Sequence, residues 1–251
     1  MYVMTIDQRG STTDVDRVPG LLAELGALST AGRFERSVGD EVQGVVERPD
    51  EVVEIALHGL RSGRWYVGIG MGEVDLPLPV SPREGSGPAF VAARLAVDRA
   101  KSAAAHVPLS VVSGGLRRGD AAPSAEGSAG AMACANAEAV LRLIGRLVQD
   151  RTAAQWKVVD VLRSVQHGHS GTHGTQKVAA RKLGITEQSV SRALLRSGWQ
   201  EEWAARPAAE MLLSLAHGLI TGDDGAGARD PAPGQGSPDP EARDSLTEGD
   251  K

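Results

Sequence analysis

The chain has 251 residues, enough for one large domain or two small ones with a linker. Apolar residues make up 41% but aromatics only 3%, so a core must be built from Val, Leu, Ile and Ala. A single cysteine, Cys134, excludes an intrachain disulfide, and no run approaches the roughly 18 apolar residues of a membrane span. The start, Met1 to Asp7, has neither the basic opening nor the cleavage site of a signal peptide, so a cytoplasmic protein without membrane association is expected. The net charge of −5 hides a segmentation. The residues from Thr221 onward hold eight acids and three bases, whereas residues 151–206 hold nine bases and four acids. The basic segment is where nucleic acid would bind.

In chain order, Tyr2–Asp7 reads as a strand and Pro19–Leu28 as a helix opened by proline. Arg33–Val38 and Glu41–Glu47 form a hairpin about Gly39-Asp40, and Pro49–Arg61 a helix with Val52, Val53, Ala56, Leu57 and Leu60 on one face. In Trp65–Glu73 apolar residues alternate with Gly68, Gly70 and Gly72. The bare face suits close approach of another backbone or a ligand. An Ala-rich helix, Pro88–Ala104, and a strand, Leu109–Val112, follow. The order β-α-β-β-α-β with an added α-β predicts an α+β fold with a ferredoxin-like palm over residues 1–112.

Residues 113–130, rich in Gly, Ser, Ala and Pro, read as a linker; 131–220 as an all-α domain; and 221–251 as a disordered acidic tail. Within the helical part a helix is expected near Ala137–Val148, and another opens on Thr152-Ala153-Ala154-Gln155, a capping-box pattern. Pro207 is read as the start of a further short helix. Its Met211, Leu212, Leu215 and Leu219 either pack within the domain or form a homodimer contact.

Two constellations carry chemistry. Asp7 closes the first strand, and Asp40 and Glu41 sit at the hairpin turn, so in a palm these carboxylates should converge at one sheet edge. There they would raise one another's pKa or share a cation, for which Mg²⁺ or Mn²⁺ is suited. The loop after Asp7 adds Arg9, Gly10, Ser11 and Thr12, with Arg9, Ser11 and Thr12 as phosphate partners for a nucleotide.

The second constellation is a helix-turn-helix over 176–197. Ala179, Ala180, Leu183, Ile185 and Val190 occupy positions that two crossing helices bury, Gly184 permits the turn, and Thr186 caps the second helix. The expected DNA-facing set has Glu187, Gln188, Ser191 and Arg192 toward bases and Arg181, Lys182 and Arg196 toward phosphates, with Thr186, the cap, beside them. His167, His169 and His173 read as a polar loop rather than a zinc site.

Residues 1–112 resemble the SatD family in Ile6-Asp7…Arg9…Ser11, in Gly39-Asp40-Glu41-Val42-Gln43-Gly44, in Val67-Gly68-Ile69-Gly70-Met71-Gly72-Glu73 and in Gly87-Pro88-Ala89…Arg94. The resemblance implies a C-terminal helix-turn-helix as well. The same pattern is similar to the palm of class III nucleotidyl cyclases and GGDEF proteins, which implies Asp7 and Asp40 as metal ligands and Arg94 as a phosphate partner. Two positions depart: Phe90 stands where a cyclase has Asn, and Val38 where a diguanylate cyclase has a second glycine. The expectation is therefore a DNA-binding, transcriptional-regulator-like protein whose palm senses a nucleotide or divalent metal. The alternatives are a Mg²⁺-dependent nucleotidyl cyclase or nucleotidyltransferase, and a non-catalytic dimerisation scaffold.

Overall fold

A computed structural model describes residues 1–28, 33–115, 129–168 and 174–222. The protein is α+β, with a five-stranded mixed sheet and, among the described residues, eight α-helices. The first half runs β1 (Tyr2–Gln8), α1 (Val18–Ala27), β2 (Phe34–Arg36), β3 (Glu41–Val46), α2 (Pro49–Arg61), β4 (Trp65–Met71), α3 (Pro88–Ser102) and β5 (Leu109–Ser113). In space the strands lie β2-β3-β1-β4-β5. β1 is antiparallel to both neighbours, and only β4 and β5 are parallel, as a crossover through a helix allows.

Alternation assigns the two faces. Tyr2, Met4 and Ile6 on β1, with Val67, Ile69 and Met71 on β4, enter the main core with α1 and α2. The opposite faces of β1 and β3 carry Val3, Thr5 and Asp7 paired with Val45, Gln43 and Glu41. The bare face of β4 receives the backbone of α3. A Cβ on Gly70 would stand 2.2 Å from Ala93 N and Ala89 O, and one on Gly68 would stand 2.4 Å from Val97 N. Of the two partners expected for that face, it is the backbone that the structure places there.

The second half comprises α4 (Ala129–Gln149), α5 (Ala153–Gly168), α6 (Thr175–Leu183), α7 (Glu187–Ser197) and α8 (Trp199–Thr221). The core does not divide where the sequence suggested a boundary between 1–112 and 131–220. α4 contributes Ala133, Ala137, Leu141 and Ile144, and α8 contributes Ala209, Leu213 and Ala216, to the same core as the sheet. Only α5, α6 and α7 gather around a second centre, of Val159, Leu162, Ala179, Ala180, Val190 and Leu194, closed by Trp199.

Two helix bounds also differ. α4 starts eight residues before Ala137, because the small side chains of its first turns pack closely; a Cβ on Gly130 would meet Ile220 at 2.7 Å. α8 passes straight through Pro207, since packing of its flanking turns offsets the lost hydrogen bond. The expected linker and tail lie mostly outside the described residues, at 116–128 and 223–251.

Candidate functional site

At the end of β1 the antiparallel register sets Glu41, Asp7 and Tyr66 in one row across three strands, on the face covered by α3. Arg94, Asp98 and Lys101 are spaced four and three apart, which puts them on one side of α3. Lys101 Nζ donates to Asp7 Oδ2 at 2.7 Å. Asp40 occupies the β2–β3 turn, where its carbonyl accepts from Gln8 N at 3.3 Å. Burial pushes the Asp7 carboxyl above its ordinary range against the pull of Lys101, and the nearby charges of Asp40 and Asp98 add to the rise. Burial raises the Glu41 carboxyl too. Ser37 donates to it and Arg94 attracts it, both in opposition, while Asp7 repels it. The register thus brings Asp7 and Glu41 together, while Asp40, in the turn, acts on Asp7 through its charge. Lys101, Asp98, Ser37 and Tyr66 join them, and of these the α3 residues were signalled by their helical spacing from Arg94.

The phosphate-partner loop is placed differently. Arg9 Nη1 donates to Gly63 O at 3.1 Å, and its guanidinium lies 5.2 Å above the Tyr66 ring. The loop is cinched by Thr13 N and Asp14 N, both donating to Gly10 O at 3.0 Å, and by Asp14, which accepts from Arg17 and Arg64. The Arg17 hydrogen bond above all holds the Asp14 carboxyl down at about 2. Ser11 is half-buried and Thr12 exposed. Neither has a side-chain hydrogen bond to the carboxylates among the described residues. Phe90 is buried with Val3, Ala89 and Ala93, so it serves the packing under α3.

In the helical unit, α6 ends on Gly184 in the left-handed region (φ 66°), and α7 opens on Thr186. The Thr186 hydroxyl accepts from Ser189 N at 3.1 Å, so its role here is the cap. Glu187, Gln188, Ser191, Arg192 and Arg196 on α7, and Arg181 and Lys182 on α6, are all exposed. Ala179, Ala180 and Val190 are buried as expected and Leu183 partly so. Ile185, expected inside, is 40% exposed at the turn. The capping box at the start of α5 is made in both directions: Gln155 Oε1 accepts from Thr152 N at 2.8 Å, and Thr152 Oγ1 from Gln155 N at 3.3 Å.

A polar joint fastens this unit to the sheet core, and the sequence reading did not foresee it. Arg61 on α2 makes a two-pronged contact with Asp160 on α5 (2.8 and 2.7 Å) and lies 3.9 Å over the Trp156 ring. Glu54 on α2 accepts from Arg163 at 2.5 Å and from Arg206 on α8. Arg151 and Glu202, each with a side chain only 1% exposed, pair at 2.5 Å, and Arg151 Nε donates to Ser197 O at the end of α7. Burial alone would raise the Glu54 carboxyl, but the guanidiniums of Arg206 and Arg163 outweigh it and hold the group below its ordinary value. The available signal was the i,i+4 pair Glu202/Arg206 on an otherwise apolar helix side.

Among the described residues no group of three or more His, Cys, Asp or Glu is arranged to hold a metal ion, and no helix is long and apolar enough to cross a membrane. His169 and His173 lie outside the described residues. Cys134 is buried, which pushes its thiol up to about 12 and leaves it unreactive. Compared with protein-family models, curated proteins and solved structures, the chain matches none.

Proposed function

We propose that the protein is a cytoplasmic DNA-binding regulator in which a helix-turn-helix reads duplex DNA and the sheet domain binds a nucleotide or a divalent cation. The observation that carries the reading is the α6–α7 pair. A left-handed glycine turn and a capped second helix leave Glu187, Gln188, Ser191 and Arg192 exposed, with Arg181, Lys182 and Arg196 beside them. Side chains of these types read base edges from a helix in the major groove, while the flanking cations take phosphates.

For the sheet domain, the strand order β2-β3-β1-β4 with its βαββαβ connections supports a ferredoxin-like palm, and with it the SatD likeness. The donor set of Asp7, Asp40 and Glu41 is all hard oxygen, which suits Mg²⁺ or Mn²⁺. Such an ion would compete with the Lys101 ammonium for Asp7. A bound nucleotide would supply phosphate oxygens to that ion, with Arg94, which attracts Glu41 from α3, as their partner.

The test is fluorescence anisotropy of the purified protein on labelled duplex DNA, with and without nucleoside triphosphates and Mg²⁺. Salt-dependent binding that responds to nucleotide supports both halves of the proposal. Absence of DNA binding at low salt removes it.

A second reading, a metal-dependent nucleotidyl cyclase or nucleotidyltransferase, is favoured by the facing pair Asp7 and Glu41 with the charge of Asp40 near it. Nucleotide turnover abolished in Asp40→Asn would make it the primary one.

A further inference from the structure

The outer sides of α4 and α8 carry an apolar face that nothing among the described residues covers. On α8 the outward arc runs through Pro207, Met211 and Leu215, with Met211 64% and Leu215 52% exposed. On α4 it includes Met132 and Leu143, the latter 71% exposed. The exposed positions from Ala129 to Leu143 on α4, and from Trp203 to Leu219 on α8, include no charged residue, in a chain that is 24% charged.

The two arcs are neighbours. α4 and α8 pack antiparallel: Gly130, two residues from Met132, lies against Ile220, and Leu147, one turn from Leu143, lies against Gly198. Exposed apolar area of this extent marks an interaction surface.

We infer that this face is the contact for a second copy of the chain, the two α4–α8 pairs closing into a four-helix layer. Three observations single out that occupant. The segments outside the described residues contain only Leu116 and Leu246 as large apolar side chains, too few to match an apolar face of this size. A twofold contact sets residues near the axis against their own copies, which penalises charge there, and the centre of this face has none. The area is also sufficient. The stretches without exposed charge, 15 residues of α4 and 17 of α8, run about 22 and 25 Å at about 10 Å width and offer on the order of 500 Å² per copy, or about 1,000 Å² in all, the lower bound for a specific interface. The inference does not depend on the DNA-binding reading.

The experiment is sedimentation velocity on the full chain, beside Met211→Glu and Leu143→Arg, with far-UV circular dichroism to show that each variant is folded. Both positions are exposed in the single chain, so substitution there leaves the fold intact. The expected result is a wild-type mass twice 26.2 kDa, falling to the chain mass in both variants. A wild-type monomer at about 100 µM would overturn the inference, as would a dimer that survives both folded variants. Flotation of a monomeric chain with lipid vesicles would overturn it in favour of a membrane surface. Should either variant lose its helical signal, Leu215→Gln, a smaller change on the same arc, takes its place under the same criteria.

Discussion

Asp7 and Glu41 stand directly opposite one another on adjacent antiparallel strands, and only one of them, Asp7, is hydrogen-bonded to the Lys101 ammonium. Like charges in facing positions repel. Both carboxyls are raised, mainly by burial. A raised folded value means that their contribution to stability is fully present below the unfolded pKa of about 4 and is lost as pH rises through the folded values. A divalent cation should restore what is lost. Mg²⁺ or Mn²⁺ at millimolar concentration is expected to raise the melting temperature by a few degrees at pH 7 and hardly at all below about pH 4, where both raised carboxyls are protonated. Asp7→Asn should remove most of that gain in differential scanning fluorimetry. An equal shift at both pH values would rule out binding by these carboxylates.

Arg151 and Glu202 form the most buried ion pair of the joint. Arg151→Met is expected to destabilise by about 3–5 kcal/mol, since it leaves Glu202 without its closest partner among buried groups. The double variant Arg151→Met/Glu202→Leu should cost less than that single change, because the surviving charge is removed with its partner. Urea denaturation of the three proteins gives the comparison directly.

Glu54 titrates in the opposite sense from Asp7. Its folded value is depressed by Arg206 and Arg163, so its contribution is present above the unfolded pKa of about 4.3 and disappears as pH falls through the lower folded value. Trp156, Trp199 and Trp203 surround the joint. Tryptophan fluorescence should therefore report loosening below about pH 4, and in Glu54→Gln that acid transition should be blunted.

On DNA, Arg181→Ala and Lys182→Ala are expected to weaken binding across all sequences, each lowering the slope of log K against log salt by about one unit. Gln188→Ala and Arg192→Ala should instead cost about 1–3 kcal/mol on a preferred site and relax the choice of sequence. Binding-site selection followed by anisotropy separates the two behaviours. Uniform losses from all four would mean that α7 does not read bases.

Gly70→Ala should be among the most damaging single substitutions, because the added carbon would stand 2.2 Å from backbone atoms of α3. Relief requires the helix to lift, at a cost on the scale of overpacking, about 1–3 kcal/mol or more. Gly20→Ala, on α1 with open space around it, should stabilise by about 0.5–1 kcal/mol and serves as the control in thermal melts.

The sheet was largely legible because its signals are local. The short apolar run at the start of Tyr2–Gln8, the alternation along Trp65–Met71, proline at the first turn of α2 and α3, and the Gly184 turn each fix an element without reference to the rest of the chain. The facing of Asp7 and Glu41 was legible for the same reason: both mark element ends. The placement of α4 and α8 was not, because a helix with one apolar side does not state what that side meets. Pro207 misled as a start signal, since tertiary packing decides whether a helix tolerates proline. The Arg9 loop shows a further limit. Its guanidinium suits a phosphate by type, yet Gly63 and Tyr66, more than fifty residues away, hold it in this structure.

A single glycine, Gly198, joins the end of α7 to the start of α8, and Arg151 clamps that corner by holding Ser197 O. α8 then runs 23 residues, about 34 Å, with Leu213 and Ala216 embedded in the sheet core. Mechanically this is a lever with its fulcrum in one module and its tip on the other. A tilt of about 8° at Leu213, about 21 Å from the tip, displaces the tip by about 3 Å, close to the ~3.4 Å rise of one base along a DNA strand. On the proposed DNA-binding reading, a ligand at the sheet would change the register in which α7 meets a groove without unfolding any described element.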